Sequence, residues 1–189
     1  MKVLNKFIEE LLKQTLENIK KINEKQVKNA LKILQSAKRV ITVGMGRSAV
    51  VARDFAIRLL QAGFNVITIR EDLIGLTPLI KGKDDVVVAV SGSGETEEVI
   101  TICKVAKEKG AKVIAVTSFP DSRLGKLADH ILYIGGRTRR WKYRDFLERE
   151  VEGEREPISP SGSLFEVSSI IVLEGLVAEL VYLKQGGGG

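Results

Sequence analysis

Five short runs rich in Val and Ile punctuate this chain and constrain its fold more than any other feature. They are RVITV (39–43), NVITI (65–69), DVVVAV (85–90), KVIAVT (112–117) and HILYI (130–134). Each is apolar along nearly its whole length, which suits a strand covered on both faces rather than one with a wet side. Segments 48–62, 95–109 and 163–184 carry helical spacing between or after those runs. Such alternation predicts an α/β domain doubly wound around a parallel sheet. Ahead of it, Leu4, Phe7, Ile8, Leu11, Leu12, Leu16 and Ile19 repeat at helical spacing over residues 4–22. A second helix is expected over 25–36, with Val27, Leu31 and Leu34 on one face. The reading is therefore a helical arm over 1–36, suited to packing or oligomerisation, one domain over 37–185, and a flexible glycine tail at Gly186–Gly189.

At 189 residues the chain fits a single domain. One cysteine (Cys103) and one histidine (His130) exclude an internal disulfide and a Cys/His zinc cage, so no metal is expected. The net charge of +6 suits anionic partners without separating nucleic acid from a small phosphate. The start of the chain has no apolar signal core, and its longest apolar stretch is interrupted by Glu174 and Glu179. A cytoplasmic protein that makes no membrane contact is expected.

In parallel α/β sheets ligands bind beyond the carboxyl ends of the strands, so the loops there carry the chemistry. Gly44-Met45-Gly46-Arg47-Ser48 follows the first strand and opens a helix, where unpaired amides face an anion. Ala49 stands where a dinucleotide fingerprint would place its last glycine, and Glu71 and Asp72 are only weak candidates for a ribose-binding acid. Ser91-Gly92-Ser93-Gly94-Glu95-Thr96 follows the third strand, with three hydroxyls and two glycines before a helix expected from Glu95. Converging hydroxyls and amides suit a phosphate monoester, whereas a P-loop pattern is absent from the sequence. Thr117-Ser118-Phe119-Pro120-Asp121-Ser122 reads as a turn capping a short helix. Residues 135–160 are dense in both charge signs and read as a solvated loop with a short helix near Tyr143–Glu150. On the residues alone, Glu166 is an acid near the start of the last helix, favoured there by the helix dipole.

Together, the Gly44–Ser48 and Ser91–Thr96 loops and the stretch from Thr117 to His130 resemble the sugar isomerase (SIS) domain over about residues 35 to 184. That resemblance implies a flavodoxin-like three-layer α/β/α sandwich with a five-stranded parallel sheet that binds phosphosugars. Gly136-Arg137-Thr138, Gly153-Glu154-Arg155-Glu156-Pro157 and Pro160-Ser161-Gly162-Ser163-Leu164-Phe165-Glu166 further resemble the 6-phospho-3-hexuloisomerases. Two departures stand out. Ser161 replaces a Leu or Met, and the chain ends at Lys184-Gln185 and glycines where those relatives carry a tail with a His assigned to proton transfer. His130, in the turn before the fifth strand, holds a structural position and is no substitute.

What the resemblance implies is a cofactor-free isomerase of ribulose monophosphate metabolism, interconverting 3-hexulose 6-phosphate and fructose 6-phosphate through a cis-enediol. Carried over residue by residue, Ser48, Ser91, Ser93 and Thr96 would bind the phosphate and Glu166 would be the base. Arg47 would stabilise enediolate charge or attract the phosphate, and Glu95 would cap its helix. The resemblance also implies a homotetramer. Two other readings use the same domain. An arabinose 5-phosphate isomerase ordinarily carries extra regulatory modules, for which the chain has no room. A non-catalytic phosphosugar sensor of the kind joined to transcription regulators would need a DNA-binding helix pair, which residues before 35 do not resemble, so no nucleic acid partner is expected.

Overall fold

The computed structural model describes residues 1–69, 79–138, 145–154 and 158–187. Glu71, Asp72, residues 139–144, residues 155–157 and the last two glycines lie outside them, so the readings that fall there are not addressed. In chain order the elements are α1 (Lys2–Ile19), α2 (Glu24–Gln35), β1 (Arg39–Gly44), α3 (Arg47–Gln61), β2 (Val66–Thr68) and β3 (Asp85–Val90). They continue with α4 (Glu97–Glu108), β4 (Lys112–Thr117), α5 (Arg123–Leu127), β5 (His130–Tyr133), α6 (Phe146–Val151) and α7 (Pro160–Lys184). The five strands form one parallel sheet in the order β2-β1-β3-β4-β5. This is the flavodoxin-like order, whose topological switch point lies between β1 and β3.

Because successive side chains in a strand point to opposite faces, the central runs of β1, β3 and β4 feed two cores at once. Val40, Val86, Val88, Val90, Ile114 and Val116 pack with Leu34 of α2, Phe55 of α3 and Leu173 and Leu176 of α7. On the other face Ile41, Val43, Val87, Ala89, Val113 and Ala115 meet Val99, Ile100 and Cys103 of α4 and Leu124 of α5. Burial pushes the Cys103 thiol up to about 12, which keeps it protonated and unreactive near neutral pH.

The sheet's amino end is closed by a buried ion pair. Arg39 Nε and Nη2 donate to the two carboxylate oxygens of Asp85, its register partner, at 3.1 and 2.7 Å. His130 begins β5 at this same end, where its Nε2 donates to the Gln26 carbonyl of α2 at 2.8 Å. It is a structural residue, as expected. The arm lies on the helical layer: α1 packs along α7, with Thr15 and Asn18 buried between them and Leu4, Ile8, Leu12 and Leu16 left exposed. Among the described residues no helix is long and apolar enough to cross a membrane.

Candidate active site

Gly44 and Val90 are the last register pair of β1 and β3, so the loops that follow leave the sheet side by side. A Cβ on Gly44 would lie 2.6 Å from the Ser48 carbonyl oxygen, so only glycine lets the chain fold straight back into α3. Gly46 caps α3 at φ 53, in the left-handed region, and has the Phe146 ring against it. Arg47 and Ser48 therefore occupy the first turn of α3, Ser48 buried and Arg47 half exposed.

In the neighbouring loop Ser91, Ser93 and Thr96 are all buried. The hydroxyls of Ser91 and Thr96 hydrogen-bond at 3.0 Å. The Gly94 amide donates to Ser91 Oγ at 3.1 Å and the Glu95 amide to Ser93 Oγ at 3.3 Å. α4 starts at Glu97 with Thr96 as its cap, later than the sequence suggests, because Gly94 takes a left-handed turn (φ 68) before it. Glu95 consequently does not cap its own helix. Its Oε1 accepts the Arg123 amide at the start of α5, at 3.1 Å.

The first amide of α4 is taken by Asp145. Its Oδ2 accepts from Glu97 N at 2.9 Å, while its Oδ1 accepts from Leu147 N at 2.8 Å and Glu148 N at 3.3 Å. Burial pushes the Asp145 carboxyl up, but these amide donors outweigh it and hold it below the usual range. One carboxylate thus caps both α4 and α6. The third loop behaves as the sequence suggests, with Ser122 capping α5 through the Gly125 amide at 3.2 Å.

Glu166 departs from its reading on the residues alone. α7 begins at Pro160, capped by Ser159, so Glu166 lies in the second turn rather than at the exposed start. It is 4% exposed. Its Oε1 accepts from Arg137 Nη2 at 2.6 Å, and Arg47 Nη2 lies 3.3 Å from Oε2. Arg47 Nη1 also donates to the Gly162 carbonyl at 2.6 Å, anchoring the first loop to the start of α7. The guanidinium of Arg137 lies 5.6 Å from the Phe165 ring centroid. A Cβ on Gly92 would come within 2.6 Å of Arg137 Nε and 2.9 Å of Phe165, so the second loop rests on this cluster.

The structure therefore brings Arg47 and Glu166 together and adds Arg137, a site residue the sequence analysis used only as part of a family segment. Of the charge-dense segment read as solvated, the described parts are tied to the fold by Arg137 on Glu166 and by Asp145 on the Glu97 amide. The available signal for Arg137 was its position directly after two glycines at the carboxyl end of a strand. Glu166 Oε2 is buried and makes no hydrogen bond. Among the described residues no cluster of three or more His, Cys, Asp or Glu could hold a metal ion.

The chain is similar to known proteins in sequence and in fold. A sequence model described as the SIS domain matches residues 33–138. An uncharacterized protein of Aeropyrum pernix is 38% identical, covering 79% of this chain and 69% of its own. A protein of Methylomonas aminofaciens named 3-hexulose-6-phosphate isomerase is 31% identical, covering 96% of this chain and 92% of its own. A crystal structure of a hypothetical protein superposes with a TM-score of 0.79 at 34% identity, over 98% of this chain and 92% of that one.

Proposed function

Since the chain belongs to the SIS domain family, we propose that it is a sugar-phosphate isomerase interconverting 3-hexulose 6-phosphate and fructose 6-phosphate. The observation that carries this reading is a buried carboxylate, Glu166, with one oxygen free of hydrogen bonds, set between two arginines beside the Gly44–Ser48 loop and the hydroxyl-rich Ser91–Thr96 loop. Ser48, Ser91, Ser93 and Thr96 bind the phosphate with the amides of their loops. Glu166 Oε2 takes the proton from C3 of fructose 6-phosphate. The electron pair of that C–H bond forms the C2–C3 double bond of a cis-enediolate as the C2 carbonyl becomes an oxyanion, which takes the proton of the C3 hydroxyl. Return of the proton to C2 leaves the carbonyl at C3. Arg47 and Arg137 balance the negative charge on the two oxygens, and the step consumes no cofactor.

Replacing Glu166 by Gln keeps the shape and removes the base. General-base catalysis contributes roughly 10²–10⁴-fold, so kcat should fall at least about 100-fold while calorimetric affinity for fructose 6-phosphate stays near that of the wild type. Retention of most of the activity would remove Glu166 from the role. The same reading makes the protein a cytoplasmic homo-oligomer, a tetramer by resemblance, using the exposed stripe Leu4, Ile8, Leu12 and Leu16 of α1.

A further inference from the structure

We infer that Asn18, in the amino-terminal arm, is a positioning residue for this site, acting through the segment that carries Arg137. The inference rests on the function proposed above. Asn18 is 8% exposed although it is polar and lies on a surface helix. Both N–H groups of its amide are used: Nδ2 donates to the Gly135 carbonyl and to Ser168 Oγ, each at 2.9 Å. One side chain therefore ties α1 to α7 and to the chain just beyond β5.

That chain is held at three points. The Ile134 carbonyl accepts from Ser118 Oγ at 2.7 Å, the Gly135 carbonyl accepts from Asn18, and the Arg137 amide donates to Ser118 Oγ at 3.2 Å. Gly135 has no room for a side chain, since a Cβ there would lie 2.5 Å from Asn18 Oδ1. Gly136, at φ 117, packs on the backbone of Phe165, where a Cβ would fall 2.6 Å from its amide nitrogen. The path from Asn18 through Gly135 and Gly136 delivers Arg137 Nη2 to Glu166 Oε1. Ser168, the other acceptor, lies two positions beyond Glu166 on α7. Asn18 thus holds the segment that delivers Arg137 against the helix that carries Glu166. Displacements of about 1 Å at a reacting centre can cost about 100-fold in rate, so a side chain that holds this pair in register bears on kcat.

The test uses the full chain with Asn18→Leu and, as a smaller change of shape, Asn18→Asp, each of which removes both N–H donors. The expected result is a kcat lower by about 10- to 100-fold with KM within about twofold, because the phosphate loops do not touch Asn18. Adding Asn18→Leu to Arg137→Lys should cost little more than Arg137→Lys alone, as for residues acting through one contact. Exchange of the Arg137 amide, read by NMR, should quicken at least about tenfold while the amides of Val88 and Val116 keep wild-type protection. Unchanged kcat and unchanged Arg137 exchange in a folded variant overturn the inference, and so does strict additivity with Arg137→Lys. Because exchange is read without substrate, a wild-type protein inactive on both sugars would overturn the functional reading while the positioning role is still decided.

Discussion

At the residue scale, the buried Arg39–Asp85 pair and the buried Glu166 cluster behave differently. The Arg39–Asp85 pair at the amino end of the sheet is bidentate, and Asp85 also accepts from the amides of Lys81 and Gly82, so every oxygen is satisfied. Burial pushes the Asp85 carboxyl up, but the Arg39 contact and the two amides outweigh it and hold it below the usual range. A group with a lowered folded pKa adds stability above its unfolded pKa and loses it as the pH falls through the folded value. The contribution is therefore complete at neutral pH and fades from about pH 4 downward. Asp85→Asn leaves the Arg39 guanidinium buried without its counter-charge and should cost about 3–5 kcal/mol at pH 7 in urea unfolding. A loss under about 1 kcal/mol would contradict this account. The cluster at the carboxyl end keeps an oxygen of Glu166 without a hydrogen bond, the arrangement expected where chemistry rather than stability is served.

At the element scale, the five strands match the sequence reading to within about two residues, because a short Val- and Ile-rich run fits a pleated strand both in the buried centre of the sheet, as in β1, β3 and β4, and at its edges, as in β2 and β5. Helix starts shifted where the cap was chosen by tertiary structure. α4 begins after Thr96 with its first amide taken by Asp145 from across the fold, while α7 begins after Ser159, whose own hydroxyl caps it. The hydroxyls and Glu166 of the candidate site stand in motifs that the sequence displays. Arg137 was not, because its distinction is a partner 29 residues away, across the fold, rather than any local pattern. Asn18 was hidden for the same reason, since a polar residue on an amphipathic arm ordinarily faces water. The double cap at Asp145 gives a prediction at this scale. Asp145→Ala frees the first amides of both α4 and α6, each cap being worth about 1 kcal/mol. Thermal unfolding should show a loss of about 1–2 kcal/mol, with the α6 amides exchanging faster than those of α4, which is packed in the core. Equal exchange from both helices would argue that Asp145 does not tie them together.

At the scale of the whole molecule, the loops after β1 and β5 meet at the Glu166 carboxylate of α7, with the loop after β3 resting on Arg137 and Phe165 beside it, while the amino end holds the ion pair and the lone histidine. Along the strand direction the fold thus separates the Arg39–Asp85 pair at one end from the candidate site at the other. The inner face of the arm packs on α7 and reaches the site through Asn18, and its outer stripe of Leu4, Ile8, Leu12 and Leu16 remains exposed in a single chain. Light scattering should report a mass several times that of one chain, lowered by Leu12→Glu, and a monomer in the wild type would contradict the oligomer proposal. The central claim is that the carbonyl of a sugar phosphate moves between C2 and C3. Proton NMR of fructose 6-phosphate incubated with the protein in D₂O tests it directly. The account predicts loss of the C3 proton signal as the enediol takes up deuterium from solvent. Exchange at C1 alone, or binding without exchange at either carbon, would contradict it.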